Sequence, residues 1–423
     1  MHSFLLPNNL NNDTLLQNIF FNIDWNLLEI TMNNSSNSIN TESNTNLIDK
    51  VYINHSLHKC LNNAKQQINE NESKWDNIKK YTNSYEFIHT SIPGLKHSIS
   101  KLKPLSRSFY KMIEIYNFFN LSNHLPENLF CFNLAEGPGG FIEALTHLRT
   151  NTKDKYVGMT LIETNDMTNI PGWDKAKFFL NNNPNVFLEF GPSKNGNLFN
   201  PMNFLYISST YNQSSHLVTG DGGFDFSVNY NQQEVMSIKL IFSQIMYAIS
   251  IQKPNGCFIL KMFDLFHKIN IDLLYLLNYF YDQVYITKPN TSREANAEKY
   301  IVCIGFKLEG KIEFFNKLKE YFYVFLVNSE NINNININGL FNYNHNVYYL
   351  NKIIEINTIL GQLQINNIIN TINLLNFKNK NDKIEIYKKN NIAKSIQWCE
   401  EYNIPYNNSI NTLRSEPLKE PKL

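Results

Sequence analysis

The stretch FNLAEGPGGFIEAL, residues 132–145, contains the residue types that most clearly suggest chemistry. An apolar run is followed by Gly137, Gly139 and Gly140 and then by an amphipathic helical period. Glycines at such a turn let the backbone approach a ligand at the carboxyl edge of a sheet. No G-K-[ST] follows and the spacing G-x-G-x-x-G is absent, so neither ATP nor NAD is favoured. A tight strand-to-helix turn without a ligand is the alternative interpretation.

Four charged residues lie at the ends or edges of elements around this turn: Lys111, Asp221, Lys261 and Glu298. Each alone could be a solvated residue or an ion-pair partner. Lys261 is harder to explain in that way, because CFIL precedes it and MF follows it. Lysine is rarely buried unless it is paired or functional. We therefore expect the four charges to converge on one crevice with the glycine turn.

The elements that would position these residues are short apolar runs alternating with longer helical periods, from about residue 85 onward. This alternation indicates β-α-β units and a mainly parallel sheet. The candidate strands are LFCFNLA, KYVGMTL, NVFLEFG, SHLVTGDG, GCFILKMF, QVYITKP and KYIVCIGFK, with an antiparallel pair closing the sheet. Residues 233–251 have a broad apolar helical face, and the periodicity after about residue 310 is helical.

Length and composition divide the chain into two or three units. The sequence has 423 residues, of which 43% are hydrophobic and 13% aromatic, enough for a substantial core. We predict an N-terminal extension over residues 1–84, a catalytic domain over 85–310 and a mainly helical extension over 311–423. The Asn/Ser-rich stretch 33–46 cannot bury much apolar surface and is predicted to be a mobile loop.

Charge and cysteine content exclude several classes of protein. Lys and Arg total 38 and Asp and Glu total 37, so a nucleic-acid surface must be a local basic patch. The five cysteines are far apart and lack metal-ligand spacing, so we expect reduced, mostly buried thiols and no metal. No apolar run approaches the ~18 to 20 residues of a membrane span, and no secretory signal is recognisable, so we expect an intracellular protein without membrane contact.

In chain order, the motifs AEGPGGF, GMTL, DGGF, LKMFDLF, KPNTSREANAEKYIVCIGFK and WCEEYNIP resemble those of FtsJ-like RNA ribose 2'-O-methyltransferases, specifically the eukaryotic and viral branch that methylates the mRNA cap. The resemblance covers residues 101–307 and 398–405. Lys111, Asp221, Lys261 and Glu298 match the K-D-K-E tetrad of that family. The implied fold is a Rossmann-like α/β methyltransferase fold, a mostly parallel seven-stranded sheet flanked by helices, with helical N- and C-terminal extensions.

The resemblance implies S-adenosylmethionine as the cofactor, with backbone N–H groups at the helix start suited to its carboxylate tail. More distant methyltransferases have an acidic residue where residues 159–161 read Met-Thr-Leu, and the family usually has Asp where Asn197 stands. The Asn197 amide oxygen can still accept a hydrogen bond. The implied cofactor-binding residues are Glu136, Gly137, Pro138, Gly139, Gly140, Phe141, Thr160, Asn197 and Asp221.

The implied reaction requires a ribose hydroxyl to lose its proton as it attacks the methyl group. Lys261 is the candidate base, but a lysine amine is ordinarily protonated at neutral pH, so its surroundings must disfavour the charged form. Burial, Lys111 and the cofactor's sulfonium act in that direction, whereas Asp221 opposes them and orients the amine. Glu298 is predicted to position the site. Alternatively, Lys261 stays charged and stabilises the developing alkoxide. Neither route needs a metal.

RNA binding is predicted for the basic stretch ahead of Lys111, although a solvated helix face is the alternative. The candidates are Lys101, Lys103 and Arg107, with Asn231 and Gln232 as candidate cap contacts. The implied partners are a capped mRNA 5' end and the capping or transcription machinery, in the nucleus, the cytoplasm or a viral replication site. An FtsJ-like enzyme for ribosomal or transfer RNA and a catalytically inactive RNA-binding scaffold are the alternative functions.

Overall fold

The structure is a computed structural model that describes residues 1–8, 19–23, 51–162, 172–223, 230–329, 337–341, 345–377 and 380–407. The stretch 33–46, predicted to be a mobile loop, lies outside the described residues.

Strands of the described residues form one large sheet and one separate pair. The large sheet contains β1 (His2–Leu5), β3 (Phe130–Leu134), β4 (Lys155–Met159), β5 (Val186–Glu189), β6 (Ser215–Gly220), β7 (Gln252–Met262), β8 (Tyr281–Lys288) and β9 (Lys299–Phe306). Their order is β1-β8-β9-β7-β6-β3-β4-β5. Strands β3 to β7 are parallel to one another, and β9 is antiparallel to both β7 and β8. The separate antiparallel pair is β2 (Ile19–Ile23) with β10 (Ile337–Phe341).

This mostly parallel sheet, flanked by helices, confirms the predicted Rossmann-like methyltransferase fold. All seven strands that the sequence predicts are present, including the antiparallel pair β8 and β9. The sheet differs from the prediction by having an eighth strand, β1, which pairs antiparallel with β8. Four residues are too few to display a strand period, and the partner of Ser3 is Thr287, far away in sequence.

Helices cover both faces of the sheet and form the two extensions. They are α1 (His55–Glu70), α2 (Glu72–Thr82), α3 (Ser108–Phe118), α4 (Gly140–Arg149), α5 (Lys177–Asn182), α6 (Pro201–Thr210), α7 (Gln233–Met236), α8 (Ile238–Ile251), α9 (Lys268–Phe280), α10 (Ile312–Ser329), α11 (Val347–Asn376) and α12 (Lys380–Glu401). Helices α1 and α2 pack against α11, so the N- and C-terminal extensions meet. The boundaries predicted at residues 84 and 310 stay predictions.

Alternating side chains of the strands supply two separate hydrophobic cores, one on each face of the sheet. In β3, Phe132 belongs to the core beneath α8, α9 and α10, whereas Cys131 belongs to the core beneath α3 and α4. This period of two is that of a strand buried on both faces. Four of the five cysteines are buried thiols and Cys60 is exposed, in agreement with the prediction of reduced, mostly buried cysteines.

Residues 233–251 are apolar enough, by length and composition alone, to cross a membrane. Their mean hydropathy in the most apolar window is 1.4, but 89% of that window is buried inside the protein. The expectation that no apolar run approaches the length of a membrane span was therefore wrong as far as length and composition are concerned. The burial is that of a core helix, α8, which packs against the sheet.

Candidate active site

The glycine turn joins β3 to α4 at the carboxyl edge of the sheet. Gly139 adopts a φ of 108°, in the left-handed region that favours glycine, and its N–H donates to the Glu136 carbonyl at 2.7 Å. A Cβ added to Gly140 would lie 2.2 Å from the hydroxyl oxygens of both Ser106 and Ser108. The two glycines therefore serve different needs: Gly139 makes the turn, and Gly140 lets α4 start against the segment before α3.

Glu136 is folded into the turn, where its side chain caps α4. Its Oε1 accepts hydrogen bonds from the backbone N–H groups of Phe141 (2.7 Å) and Ile142 (3.2 Å). Its Oε2 is buried and has no hydrogen-bond partner among the described residues. Burial and the nearby charge of Asp221 raise the pKa of Glu136 to about 8. The turn thus presents one buried carboxyl oxygen without a partner among the described residues, which donates while Glu136 is protonated and accepts once Glu136 is a carboxylate.

This arrangement changes the expected mode of cofactor contact. The sequence argument assigned the N–H groups at the start of α4 to the carboxylate tail of the cofactor. In the structure, the N–H groups of Phe141 and Ile142 are occupied by the carboxylate of Glu136. The two N–H groups therefore cap the helix internally, and the unused Glu136 oxygen favours a cationic group instead.

Replacing Glu136 with glutamine should flatten the dependence of stability on pH. Unfolded, Glu136 releases its proton near the ordinary value of 4.5, but in the folded protein its pKa is about 8. Between these values the folded state binds more protons, so the free energy of unfolding falls as pH rises. Urea unfolding at pH 6 and pH 9 should show a smaller loss for Glu136→Gln than for the wild type. Equal losses would contradict the assignment, and Glu313→Gln, on the exposed face of α10, is the control.

The four charged residues that the sequence pattern singles out form two ion pairs. The Lys111 Nζ lies 2.7 Å from Glu298 Oε1. The Lys261 Nζ lies 3.2 Å from Asp221 Oδ1 and donates to the Asp221 backbone carbonyl at 2.6 Å. The four side chains are 12–15% exposed. They are thus largely shielded from water but still accessible at one side.

Glu298 is held as a carboxylate by its neighbours. Burial alone would raise its pKa, but the positive charges of Lys111 and Lys261 and the hydrogen bond from Lys111 lower it to about 2. The Ser292 hydroxyl also donates to Glu298 Oε1 at 2.8 Å. Glu298 is therefore charged at any pH at which the protein would work.

Two residues that sequence reasoning missed, Tyr300 and Gln244, surround the Asp221 end of the site together with Gly222 and Gly223. The Tyr300 hydroxyl donates to Asp221 Oδ1 at 2.8 Å, and Tyr300 lies opposite Lys261 in the β7–β9 register. Burial raises the pKa of Tyr300 well above its usual value, so it remains a donor. A Cβ on Gly223 would be 3.2 Å from the Lys261 Nζ, and Gln244 accepts from the Gly222 N–H at 3.1 Å. The motif DGG was a visible signal for the glycines, whereas nothing marked Tyr300 or Gln244.

Trp173 is a further residue beside the glycine turn that the sequence did not single out. Its ring atoms lie 3.3 Å from a Cβ added to Gly139 and 2.6 Å from one added to Gly158. The absence of side chains at both glycines therefore makes room for the indole. The Trp173 Nε1 is buried without a hydrogen-bond partner among the described residues.

The ends of β4 and β5 bring Thr160 and Asn197 into neighbouring loops. A Cβ on Gly196 would lie 1.9 Å from the Thr160 carbonyl oxygen, so the two loops touch. The Asn197 Oδ1 accepts from the Phe199 N–H at 2.9 Å. The Asn197 amide oxygen, which was expected to accept a hydrogen bond from the cofactor, therefore already accepts one within its own turn.

The predicted RNA-binding residues differ in their surroundings. Lys101, Lys103, Asn231 and Gln232 are exposed. Arg107 instead points inward, where it pairs with Glu86 at 3.2 Å and donates to the Thr291 carbonyl at 2.9 Å. Arg107 is thus paired within the protein and only partly exposed, and its role in RNA binding stays a prediction.

A cavity of about 150 Å³ lies between α1, α2, α11 and the link that joins β8 to β9, residues 289–298. Ala297, which lines it, directly precedes Glu298 in the sequence. Trp75 and Asn83 line it from the N-terminal extension, Gln364 from α11, and Arg293 and Ala297 from the link. None of the described residues that line it is acidic. The Asn83 Oδ1 is buried and has no partner in the part of the chain that the structure describes.

Comparison with known proteins agrees with this architecture. Residues 104–306 match the model of the FtsJ-like methyltransferase family. The cap-specific mRNA (nucleoside-2'-O-)-methyltransferase 1 of Drosophila melanogaster is 29% identical over 335 residues, which cover 73% of this chain and 39% of that protein. The protein of the same name from Trypanosoma cruzi is 36% identical over 178 residues, which cover 41% of this chain and 47% of that protein.

A third relative carries a different description. A Caenorhabditis briggsae protein named inactive cap-specific mRNA (nucleoside-2'-O-)-methyltransferase 1B is 32% identical over 197 residues, covering 45% of this chain and 22% of its own length. The chain thus spans less than half the length of each of these three relatives.

Proposed function

Since residues 104–306 match the model of the FtsJ-like methyltransferase family, we propose that the protein methylates the ribose 2'-hydroxyl of nucleotides next to the mRNA cap, with S-adenosylmethionine as methyl donor. The observation that carries this proposal is the meeting of the Lys111–Glu298 and Lys261–Asp221 pairs beside the glycine turn. The turn and the pairs adjoin, because a Cβ on Gly222 would lie 2.9 Å from the Cβ of Ala135.

The glycine turn fits the amino-acid end of the cofactor. The free Oε2 of Glu136 is a suitable acceptor for the cofactor's ammonium group, and Gly139 presents no side chain. When bound, S-adenosylmethionine supplies an electrophilic methyl group on a positively charged sulfur. Because an adjacent ammonium favours the carboxylate form of Glu136, the Glu136→Gln variant should also bind the cofactor more weakly.

Lys261 is proposed to act on the ribose hydroxyl through the one position of its amine that Asp221 does not use. Two positions on Nζ are taken by the Asp221 carboxylate and carbonyl oxygens. If the amine is neutral, its lone pair would accept the proton that the ribose hydroxyl loses on methylation. The bound cofactor would supply the methyl group and would leave as a neutral thioether when its carbon–sulfur bond breaks. If the amine is charged, its third N–H donates to the developing alkoxide.

The other members of the site keep this amine in place. Tyr300 donates to the Asp221 oxygen that also pairs with Lys261. Lys111 and Glu298 neutralise each other at 2.7 Å, so the site gains a fixed ion pair without a large net charge. Preorganised groups of this kind need little rearrangement when the reaction begins.

We assign the terminal base of the cap to the cavity beside Glu298. Methylated guanine is flat and cationic, and the Trp75 indole provides a wall on which such a base can stack. The Asn83 Oδ1 is an unused acceptor for a base N–H group. The cations Lys79 and Arg293 also line the cavity, and they pair with Asp76 and Glu86 respectively.

Trp75→Ala should weaken binding of a 7-methylguanosine triphosphate by about 5- to 150-fold, since base–aromatic stacking contributes about 1–3 kcal/mol. Titration calorimetry measures the affinity, and circular dichroism checks that the variant is folded. Phe187→Ala, which removes a half-exposed aromatic ring from β5, should bind normally. An unchanged affinity in folded Trp75→Ala would exclude Trp75 from the cap site.

The substrate is tested by transfer of a labelled methyl group onto capped, uncapped and structured RNAs. The proposal predicts transfer that depends on the cap. Equal transfer to capped and uncapped RNA would instead favour an FtsJ-like enzyme for ribosomal or transfer RNA. RNA binding without transfer would favour an inactive RNA-binding scaffold; the Caenorhabditis briggsae relative is likewise named inactive.

A further inference from the structure

Lys288, the last residue of β8, is a buried lysine that the proposed chemistry does not use. Only 6% of the surface of Lys288 is exposed to solvent. The ammonium donates three hydrogen bonds of 2.9 Å each, to the carbonyl and amide oxygens of Asn296 and to the carbonyl oxygen of Glu298. All three acceptors are neutral, so this cation is not explained as one half of a simple ion pair.

The acceptors of Lys288 lie on both sides of the site. Asn296 lines the cavity that we assign to the cap, whereas the Glu298 side chain pairs with Lys111. One ammonium therefore connects the wall of the cavity to the backbone of a tetrad residue. Because the two residues are separated by a single position, a shift of either one would move the other.

Other groups anchor the first half of the link between β8 and β9. Glu114 accepts from the N–H groups of Asn290 (2.6 Å) and Thr291 (3.1 Å), and Glu86 pairs with Arg293 at 2.6 Å. In the second half, Lys299 donates to the Ala297 carbonyl at 3.0 Å. The flanking carbonyls, at 296 and 298, are held by Lys288.

We propose that Lys288 is a positioning residue for methyl transfer: it holds Asn296 and Glu298 as one unit, so that the cap cavity and the tetrad keep a fixed spacing. Its effect on turnover rests on the function proposed above, whereas its effect on the link does not. Burial lowers the pKa of Lys288 to about 7, although the charge of Glu298 opposes the change. Keeping the ammonium form at this buried position therefore costs free energy that an apolar core residue would not.

Lys288→Met keeps the length of the side chain but removes the donor to the buried Glu298 carbonyl and to the two partly buried Asn296 oxygens. Among the described residues, the Asn296 amide oxygen keeps only the hydrogen bond from the Ser292 hydroxyl, at 3.3 Å. With saturating cofactor and capped RNA, the single-turnover rate should fall by about 10- to 100-fold, since a misplacement of about 1 Å can reduce turnover by about 10²-fold. Cofactor affinity should change less than about twofold. The matched control is Lys239→Met on α8, which removes another buried lysine, one that donates to the Ser329 carbonyl, and should keep the wild-type rate.

A double variant tests whether Lys288 acts through Glu298. Adding Lys288→Met to Glu298→Gln should cause little further loss if the two residues form one unit. The proposal would be overturned if the rate losses of the two single variants multiplied in the double variant. A wild-type rate in Lys288→Met would also overturn it.

Hydrogen exchange tests the positioning role of Lys288 separately from the proposed methylation of the cap ribose. Residues 289–298 should exchange faster in Lys288→Met than in Lys239→Met, whether or not RNA is methylated. If the wild type fails to methylate capped RNA, the proposed function falls while faster exchange still supports the positioning role. Equal exchange in the two variants would overturn that role even in an active enzyme.

Discussion

Replacing Lys261 with alanine should reduce the single-turnover rate of methyl transfer by about 10²- to 10⁴-fold, the usual contribution of a positioned proton acceptor. The variant loses both the possible base and the possible positive charge. Cofactor and RNA binding should largely survive, because the contacts of the amine are to Asp221 within the protein. Rapid-quench measurement of labelled methyl transfer gives the rate, and calorimetry gives the cofactor affinity.

Lys253→Ala is the matched control, since it removes an exposed lysine from the same strand, β7, and should leave the rate unchanged. Near-normal turnover in Lys261→Ala would contradict the mechanism. The four charged residues would then be structural ion pairs around a cofactor site with a different reaction.

Lys261→Arg separates the two roles of the amine. Arginine keeps the charge but cannot lose its proton in the working pH range. A base at this position predicts an inactive Arg variant that still binds cofactor and RNA. It also predicts a wild-type rate that rises with pH to a plateau. A purely electrostatic role predicts substantial activity in the Arg variant and no such rise.

Gly139→Val should lower the affinity for S-adenosylmethionine by roughly 100-fold, equivalent to about 2.8 kcal/mol. The residue has a φ of 108°, which a β-branched side chain adopts only with strain. The new Cβ would also lie 3.3 Å from the Trp173 ring and 3.4 Å from a Leu105 methyl group. The turn must then move, together with the Glu136 carboxylate that caps α4. Titration calorimetry measures the loss.

Gly94→Val controls for the backbone strain in this experiment. Gly94 has a φ of 89°, but a Cβ there would meet no atom within 4 Å. This variant should lose some stability and keep its affinity for the cofactor. Unchanged cofactor binding in Gly139→Val would show that the glycine turn is not part of the cofactor site.

The fold was predictable because each strand of its central sheet forms its own apolar run. The run CFILKM, for example, lies within β7, which is buried on both faces. The strand β1 could not be predicted, since its four residues gain their partners only from β8, at the other end of the domain. Hydrophobic periodicity reports local structure, but not pairing across such distances.

The candidate site was predictable to the extent that its residues stand at strand ends. Lys261 and Asp221 end neighbouring parallel strands, so their approach follows from topology. The pairing of Arg107 with Glu86 did not follow, because charge in a sequence does not reveal which side of a helix faces the interior. The cavity could not be predicted either, since Trp75 and Gln364 meet only through packing of the two extensions.

The most direct test of the proposed function is to identify the methylated nucleoside. Short capped RNA is incubated with labelled S-adenosylmethionine and either wild type or Lys261→Ala, digested to nucleosides and resolved by chromatography and mass spectrometry. The proposal predicts a 2'-O-methylated nucleoside next to the cap with the wild type, and little or none with the variant. A methyl group on a base, on an internal ribose or on uncapped RNA to an equal extent would contradict cap ribose methylation.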